Sequence, residues 1–337
     1  MSRLVVGGGL VHDRIKRLGN LARARLNRKG IDMRRIPFYA ALLLLSGVTG
    51  LVGADRFTVE KTDDGAIVKL DGKLFTRYQK LFQNKPILHP VIGPTGKEMT
   101  RPLGEGDHVH HSSFWFTHGN VNGTDFWHKG GRIEHKDFLV ASGGKTATLK
   151  TISSWKDDDG KVLGEESRVM VFDANDKARW IDVDIVFTAK APVTFGKTKE
   201  GSFGVRMWPK STVKEGGTII NREGKKNGDA WGKASAWVDY YGDVKGETLG
   251  VAILNHPGSL RHPTTWHVRT YGLFAANPFM KQELKLAAGD KMTLKHRVVF
   301  HKGTTAEAGI AAMYLSLIHI SEPTRPRLIS YAVFCLK

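Results

Sequence analysis

The chain has 337 residues, with 51 Lys and Arg against 33 Asp and Glu and a formal net charge of +18. Its one cysteine, Cys335, rules out a disulfide framework, thiolate metal centres and a cysteine nucleophile in the body of the chain. The basic excess sits at the ends: 10 basic and 2 acidic residues fall in 1–54, and 3 and 1 in 316–337, leaving +8 between them. There Lys and Arg are scattered rather than striped, so no nucleic-acid partner is expected.

From Met33 the chain reads MRRIPFYAALLLLSGVTGLVGADRF. Arg34 and Arg35 make a basic start, residues 39–52 are almost wholly apolar or small, and Val52-Gly53-Ala54 suits signal cleavage. The apolar run is shorter than the roughly 20 residues of a spanning helix. Residues 33–54 are therefore expected to be a secretory signal, giving an exported, periplasmic protein without a membrane span after cleavage. Residues 1–32 then read as an upstream extension. At the other end, residues 316–337 share no pattern with what precedes them and resemble translated adapter read-through. Residues 55–315 remain as one domain.

After the signal, short runs of alternating hydrophobicity recur between tight turns. RFTVEK and AIVKL flank Asp64-Gly65, and Asp71-Gly72 precedes KLFTRY; Asp-Gly between alternating runs predicts hairpins, because both turn positions favour positive φ. Residues 85–100, KPILHPVIGPTGKEMT, carry three prolines and two glycines and predict a shaped loop with one short edge strand. Strands are again expected at KTATLKTISSW and EESRVMVF, where alternation lets only one of Glu165 and Glu166 face inward. In RWIDVDIVFTA, Ile181, Val183, Ile185 and Phe187 share one face against Asp182 and Asp184. Later strands are expected at SFGVRMWP, SAWVDYY, LGVAIL, WHVRTY and MTLKHRVVF, and one short C-terminal helix at residues 305–314. No linker divides the domain, so the predicted fold is all-β, a large antiparallel sandwich.

The densest chemistry lies in residues 107–128, DHVHHSSFWFTHGNVNGTDFWH. In a strand His108 and His110 would share one face and His111 the other. A His-x-His pair with His118 or His128 as a third arm could hold Zn, Cu or Fe. Alternatively, one imidazole is a general acid and its neighbours bind hydroxyls, which needs no metal. Trp115 and Trp127 are candidate sugar platforms, since sugar C–H faces stack on indole while Asn122 and the imidazoles take hydroxyls. Core packing is the alternative for each. Glu200, before the strand that carries Arg206, is the candidate carboxylate partner for His110. A second cluster, residues 255–279, supplies Asn255, His256, Arg261, Trp266 and Arg269 around Pro257, Pro263 and Pro278. Its arginines could take a carboxylate through two parallel bonds.

HPVIGPTGKEMTR, the 107–127 motif, EGSFGVRMWP and the NHP…RHPTTWHVRTYGLFAANPF segment together resemble the PmoA-like proteins, over roughly residues 57–314. These are exported bacterial proteins, abundant in planctomycete-type genomes and often labelled methane oxygenase. With β-strands and no spanning segment, the pattern is more similar to the galactose-mutarotase-like super-sandwich. In that fold a His protonates the ring oxygen while a Glu takes the anomeric proton.

The expectation is a carbohydrate-directed protein with acid/base chemistry at a sugar carbon, epimerase-, lyase- or hydrolase-like. His110, Glu200 and His256 are its candidate catalytic residues. His108, His111, Trp115, His118, Asn122, Trp127, Arg206, Asn255, Arg261, Trp266 and Arg269 are the substrate-binding candidates. No cofactor is required. A non-catalytic sugar-binding module is the first alternative. A metal-dependent oxidoreductase, with His108, His110 and His118 as ligands, is the second.

Overall fold

Alternating hydrophobicity becomes eighteen strands in the computed structural model, which describes residues 55–321. The expected upstream extension, the signal and residues 322–337 lie outside the described residues. The first strands are β1 (Phe57–Thr62), β2 (Gly65–Leu70), β3 (Lys73–Phe82), β4 (Lys85–Val91) and β5 (Phe114–His118). Four long ones follow: β6 (Arg132–Ser142), β7 (Ala147–Lys156), β8 (Val162–Ala174) and β9 (Ala178–Ala189). Next come β10 (Val193–Phe195), β11 (Gly201–Arg206), β12 (Thr218–Asn221), β13 (Trp237–Val244) and β14 (Glu247–Asn255). Finally β15 (Trp266–Val268), β16 (Leu273–Ala276), β17 (Leu284–Leu286) and β18 (Lys291–Lys302) precede helices α1 (Thr305–Ala308) and α2 (Ile310–Ser321).

Sixteen of the strands make two antiparallel sheets, ordered β1-β2-β3-β4-β5-β11-β16-β15 and β12-β13-β14-β18-β9-β8-β7-β6; β10 and β17 form a ribbon. Inward residues of both sheets fill one core: Phe75, Phe114, Phe203 and Trp266 from the first meet Leu149, Met170, Phe187 and Phe300 from the second. The chain is therefore an all-β antiparallel sandwich, as its alternation implies. On β9, Ile181, Val183, Ile185 and Phe187 face inward, while Asp182 and Asp184 pair across the outer surface with Arg297 and Lys295. No helix among the described residues is long and apolar enough to cross a membrane.

Three local expectations change. Thr62 pairs with Gly65, so the first hairpin turns at Asp63-Asp64, one residue early. Gly65 serves close packing instead: a Cβ there would lie 1.7 Å from the Tyr78 carbonyl oxygen. Asp71-Gly72 does form the expected turn, with φ of 49° and 75°. The proline-rich segment at 85–91 is an interior strand, not an edge. It is tolerated because β4 pairs with β5 only at Ile87 and Leu88, between Pro86 and Pro90. The C-terminal helix is divided at Gly309, φ 66°, after a Thr304–Glu307 capping box. Its second part runs on to Ser321, with Ile310 and Tyr314 buried against Trp237, Leu254 and Val299.

Candidate functional site

Across the outer face of the first sheet, register aligns five residues in one row: Ile87 on β4, Trp115 on β5, Gly204 on β11, Ala275 on β16 and His267 on β15. Gly204, at the middle of the row, is small for a physical reason. A Cβ on Gly204 would lie 2.9–3.1 Å from the Trp115 indole, so that indole lies across the glycine. Trp127 completes the floor, its ring 5.3 Å from Trp115 and 6.5 Å from His267.

Above this floor the segment before β5 folds back as a turn, with His111 N–H bonded to the His108 carbonyl and His108 at φ 50°. Three imidazoles are thereby gathered that a strand would have sent to two faces. The His108 ring lies nearly parallel to His111 and Tyr271 at 5.0 and 5.2 Å, those two rings are 6.5 Å apart, and His111 stacks toward Trp115 at 5.7 Å. Arg206, at the outward end of β11, donates from Nη1 to His111 Nδ1 at 3.3 Å. That bond requires an unprotonated Nδ1 and leaves the imidazole proton on Nε2. Burial first, then the charges of His110 and Arg206, holds the His111 pKa far below its ordinary value.

The adjoining loop adds a second pair. His128 Nδ1 lies 2.7 Å from Asp125 Oδ2, while Asp125 Oδ1 accepts the N–H groups of Trp127 and His128. His110 stands 4.4 Å, ring to ring, from both His111 and His128. Its pKa falls to about 4, through burial and then the neighbouring charges of His128 and Lys85. His110, His128 and Asp125 line one cavity of about 480 Å³ with Gln83, Asn84 and Gly130, within the size range of small-molecule sites. Lys85 is completely buried, its Nζ 3.3 Å from Asn84 Oδ1, and burial lowers its pKa to about 8.

Four polar atoms around this floor are buried without a partner among the described residues: His111 Nε2, Trp115 Nε1, Trp127 Nε1 and His267 Nδ1. Buried polar atoms are rarely left so, and four on one face mark a place suited to a polar guest. His267, only 3% exposed, is held neutral with a pKa near 4 by burial and then by Arg269 and Lys199.

Of the residues expected from sequence, His108, His110, His111, Trp115, Trp127 and Arg206 converge here. Arg269 reaches the rim, its guanidinium over Tyr271 at 5.8 Å and over Trp231 at 5.9 Å. The others go elsewhere. His118 has the opposite parity on β5 from Trp115 and faces the inter-sheet core, against Phe195 and Phe279, with Nε2 2.7 Å from the Gly196 carbonyl. The His108–His110–His118 ligand set is therefore not assembled. Among the described residues no three His, Cys, Asp or Glu side chains converge as metal donors. Trp266 also points inward, its indole N–H on the Ser235 carbonyl, and gives the outer face to His267. Asn122 spends both ends of its amide on the backbone of Pro192 and Thr194. Asn255 accepts from His262 and the Thr264 N–H, and Arg261 clamps the carbonyls of Pro278, Gln282 and Glu283.

The two expected catalytic partners of His110 are displaced. His256 follows β14 in the second sheet and lines a separate depression with Asp182, Asp184 and Lys295. The 255–279 segment thus divides between the two sheets, and only its β15–β16 part reaches the site. Glu200 does not line the His110 cavity; its carboxylate lies 3.6 Å from Lys199. It adjoins the site across Gly119, where a Cβ would meet Glu200 Cβ at 2.8 Å and Asp125 Oδ1 at 3.6 Å. Asp125 is the carboxylate that the fold sets beside the imidazoles. Lys85, Asp125 and Tyr271 carried no recognisable signal. His267 alternates with Trp266, but alternation alone does not say which of the two faces out.

Solved structures similar to this chain include the GH36 α-galactosidase AgaB from Geobacillus stearothermophilus, at 11% identity and TM-score 0.37 over 73% of this chain and 41% of that one. The chain thus spans about two fifths of the length of that enzyme. A galactose mutarotase-like protein from Lactobacillus casei is similar at 9% identity and TM-score 0.32, over 73% of this chain and 100% of that one. A galactose mutarotase related enzyme from Lactobacillus acidophilus is similar at 9% identity and TM-score 0.27, over 74% and 98%. No curated protein matches the sequence. Residues 66–315 match the family described as "Family of unknown function (DUF6807)", and it is to this family that the chain belongs.

Proposed function

We propose that the protein binds a carbohydrate over the outer face of its first sheet and moves a proton at a sugar carbon. The observation that carries this reading is the placement of His110 and His128, 4.4 Å apart on the wall of one cavity. Their environments differ. With Nδ1 engaged by Asp125, His128 has Nε2 left for a reactant, and the carboxylate stabilises the imidazolium formed when it takes a proton. His110 stays uncharged at neutral pH and offers a hydrogen bond to a sugar oxygen. The proton acceptor and the hydrogen-bond donor in this scheme are thus both imidazoles, with His128 as the base in the place expected for Glu200 and Asp125 as the carboxylate that orients it.

The test is wash-in of solvent deuterium. Purified protein in D₂O is incubated with a panel of hexoses and uronic acids, and C–H signals are followed by proton NMR together with anomer interconversion. Loss of a C–H signal or faster interconversion, abolished in His128→Ala, supports proton transfer. Binding of a sugar with neither effect would make the protein a binding module instead.

A further inference from the structure

Beside the imidazoles lies a second cleft of about 320 Å³, lined by Arg101, Asp107, Arg206 and Tyr271 together with Glu105, Lys214 and Glu215. Arg101 and Arg206 are buried, their side chains 7% and 4% exposed, yet both donate to one oxygen, Asp107 Oδ1, at 2.9 and 2.8 Å. Asp107 itself is 57% exposed. Two buried cations thus converge on a single carboxylate that faces solvent. Arg101 Nε is also buried and has no partner among the described residues. Burial strips a guanidinium of its hydration, a loss that a matched anion offsets and neutral hydroxyls do not.

The carboxylate that fills the cleft is carried by an exposed turn, whose His108 carbonyl accepts from Arg101 Nη2 at 3.0 Å. Gly104 and Gly106 have φ of 75° and 68°, and His108 follows at 50°. Residues 104–109 are exposed, and besides the two arginines only His108 grips Asp107, at 2.8 Å from Oδ2. The arginines, by contrast, are fixed. Arg206 ends β11 with Tyr271 5.0 Å from its guanidinium, and Arg101 N–H is bonded to the Arg206 carbonyl.

We infer that Arg101 and Arg206 form the recognition site for the carboxylate of an acidic sugar, and that Asp107 is the internal carboxylate such a ligand displaces. This rests on the carbohydrate reading above and names its substrate class. Position supports it: Arg206 Nη1 is 3.3 Å from His111, whose ring is 4.4 Å from His110. One imidazole therefore separates the anion site from the proton-transfer pair. An acidic sugar with its carboxyl group on the arginines would thus lie across His111, toward the cavity that His110 lines.

Calorimetric titration tests this, using D-galacturonate and D-glucuronate against D-galactose and D-glucose, with acetate and galactose 6-sulfate as further arms. The uronate should bind roughly tenfold more tightly than its neutral counterpart, the value of one charge-assisted pair. Asp107→Asn should raise the ratio of uronate to neutral-sugar affinity several-fold, and Arg206→Lys, which keeps the charge but loses the fork, should bring it close to one. Equal affinity for acid and neutral sugar overturns the inference while leaving the carbohydrate reading intact. So does an unchanged ratio in Asp107→Asn, which also separates a structural ion triad from a binding site. Acetate binding as tightly as uronate, or the sulfate ester binding more tightly, overturns the sugar-carboxylate assignment. If no sugar of either kind binds, both readings fail together.

Discussion

Asp125 does two jobs for His128: its Oδ2 lies 2.7 Å from Nδ1 of the ring, while its Oδ1 accepts the ring's own backbone N–H at 3.2 Å. One carboxylate therefore fixes both the tautomer of the imidazole and the turn that presents it. Trp127, whose N–H shares Oδ1, is anchored by the same group.

Asp125→Asn can keep the Oδ1 contacts but no longer stabilises an imidazolium. Proton transfer measured by deuterium wash-in should fall by roughly 10²-fold or more, with the thermal midpoint nearly unchanged. Asp125→Ala should lose both rate and stability. Equal rates in wild type and Asp125→Asn would remove this carboxylate from the mechanism.

Gly204→Ala places a methyl group against the Trp115 indole at about 3 Å, where the floor has no slack. Overpacking of this kind costs roughly 1–3 kcal/mol. Because Trp115 lies under His111, the variant should also weaken sugar binding. Denaturant unfolding and calorimetry on the same sample check both effects.

Lys85 gives a pH signature. Burial depresses its pKa to about 8 from an ordinary value of 10.5, so between those limits the unfolded chain binds more protons than the folded one. Stability attributable to Lys85 should therefore rise as pH increases from about 8 toward 10, and be flat below. Lys85→Met should abolish that rise and be more stable near pH 7 by a few kcal/mol at most. Thermal midpoints from pH 7 to 10 for the two proteins provide the comparison.

Inside the sandwich, Glu166 accepts from Trp155 Nε1 at 2.9 Å and from Arg168 Nε at 2.7 Å, with both charged side chains almost fully buried. Glu166→Ala leaves Arg168 uncompensated and should cost about 3–5 kcal/mol. Replacing both with apolar residues of similar volume should cost much less. Chemical denaturation of the single and double variants distinguishes this from simple loss of packing.

Alternation was enough to place most strands and to make the chain an antiparallel sandwich, because a period of two has only one burial solution when a single core must be filled. The density of imidazoles, five within residues 107–128, is what pointed to the candidate site segment. Other decisions belong to the tertiary structure. Strand parity between unrelated segments sent His118 and Trp266 into the core and His267 outward, and register across β5, β11, β16 and β15 set Trp115 and His267 in one row. The turn at His108 brought His108, His110 and His111 together where an extended strand would have parted them. Lys85 and Tyr271 became site residues only through contacts between segments far apart in the chain, and no local pattern encodes such contacts. Which carboxylate stands beside the histidines was likewise decided by the fold: Asp125 from their own loop, with Glu200 one glycine away.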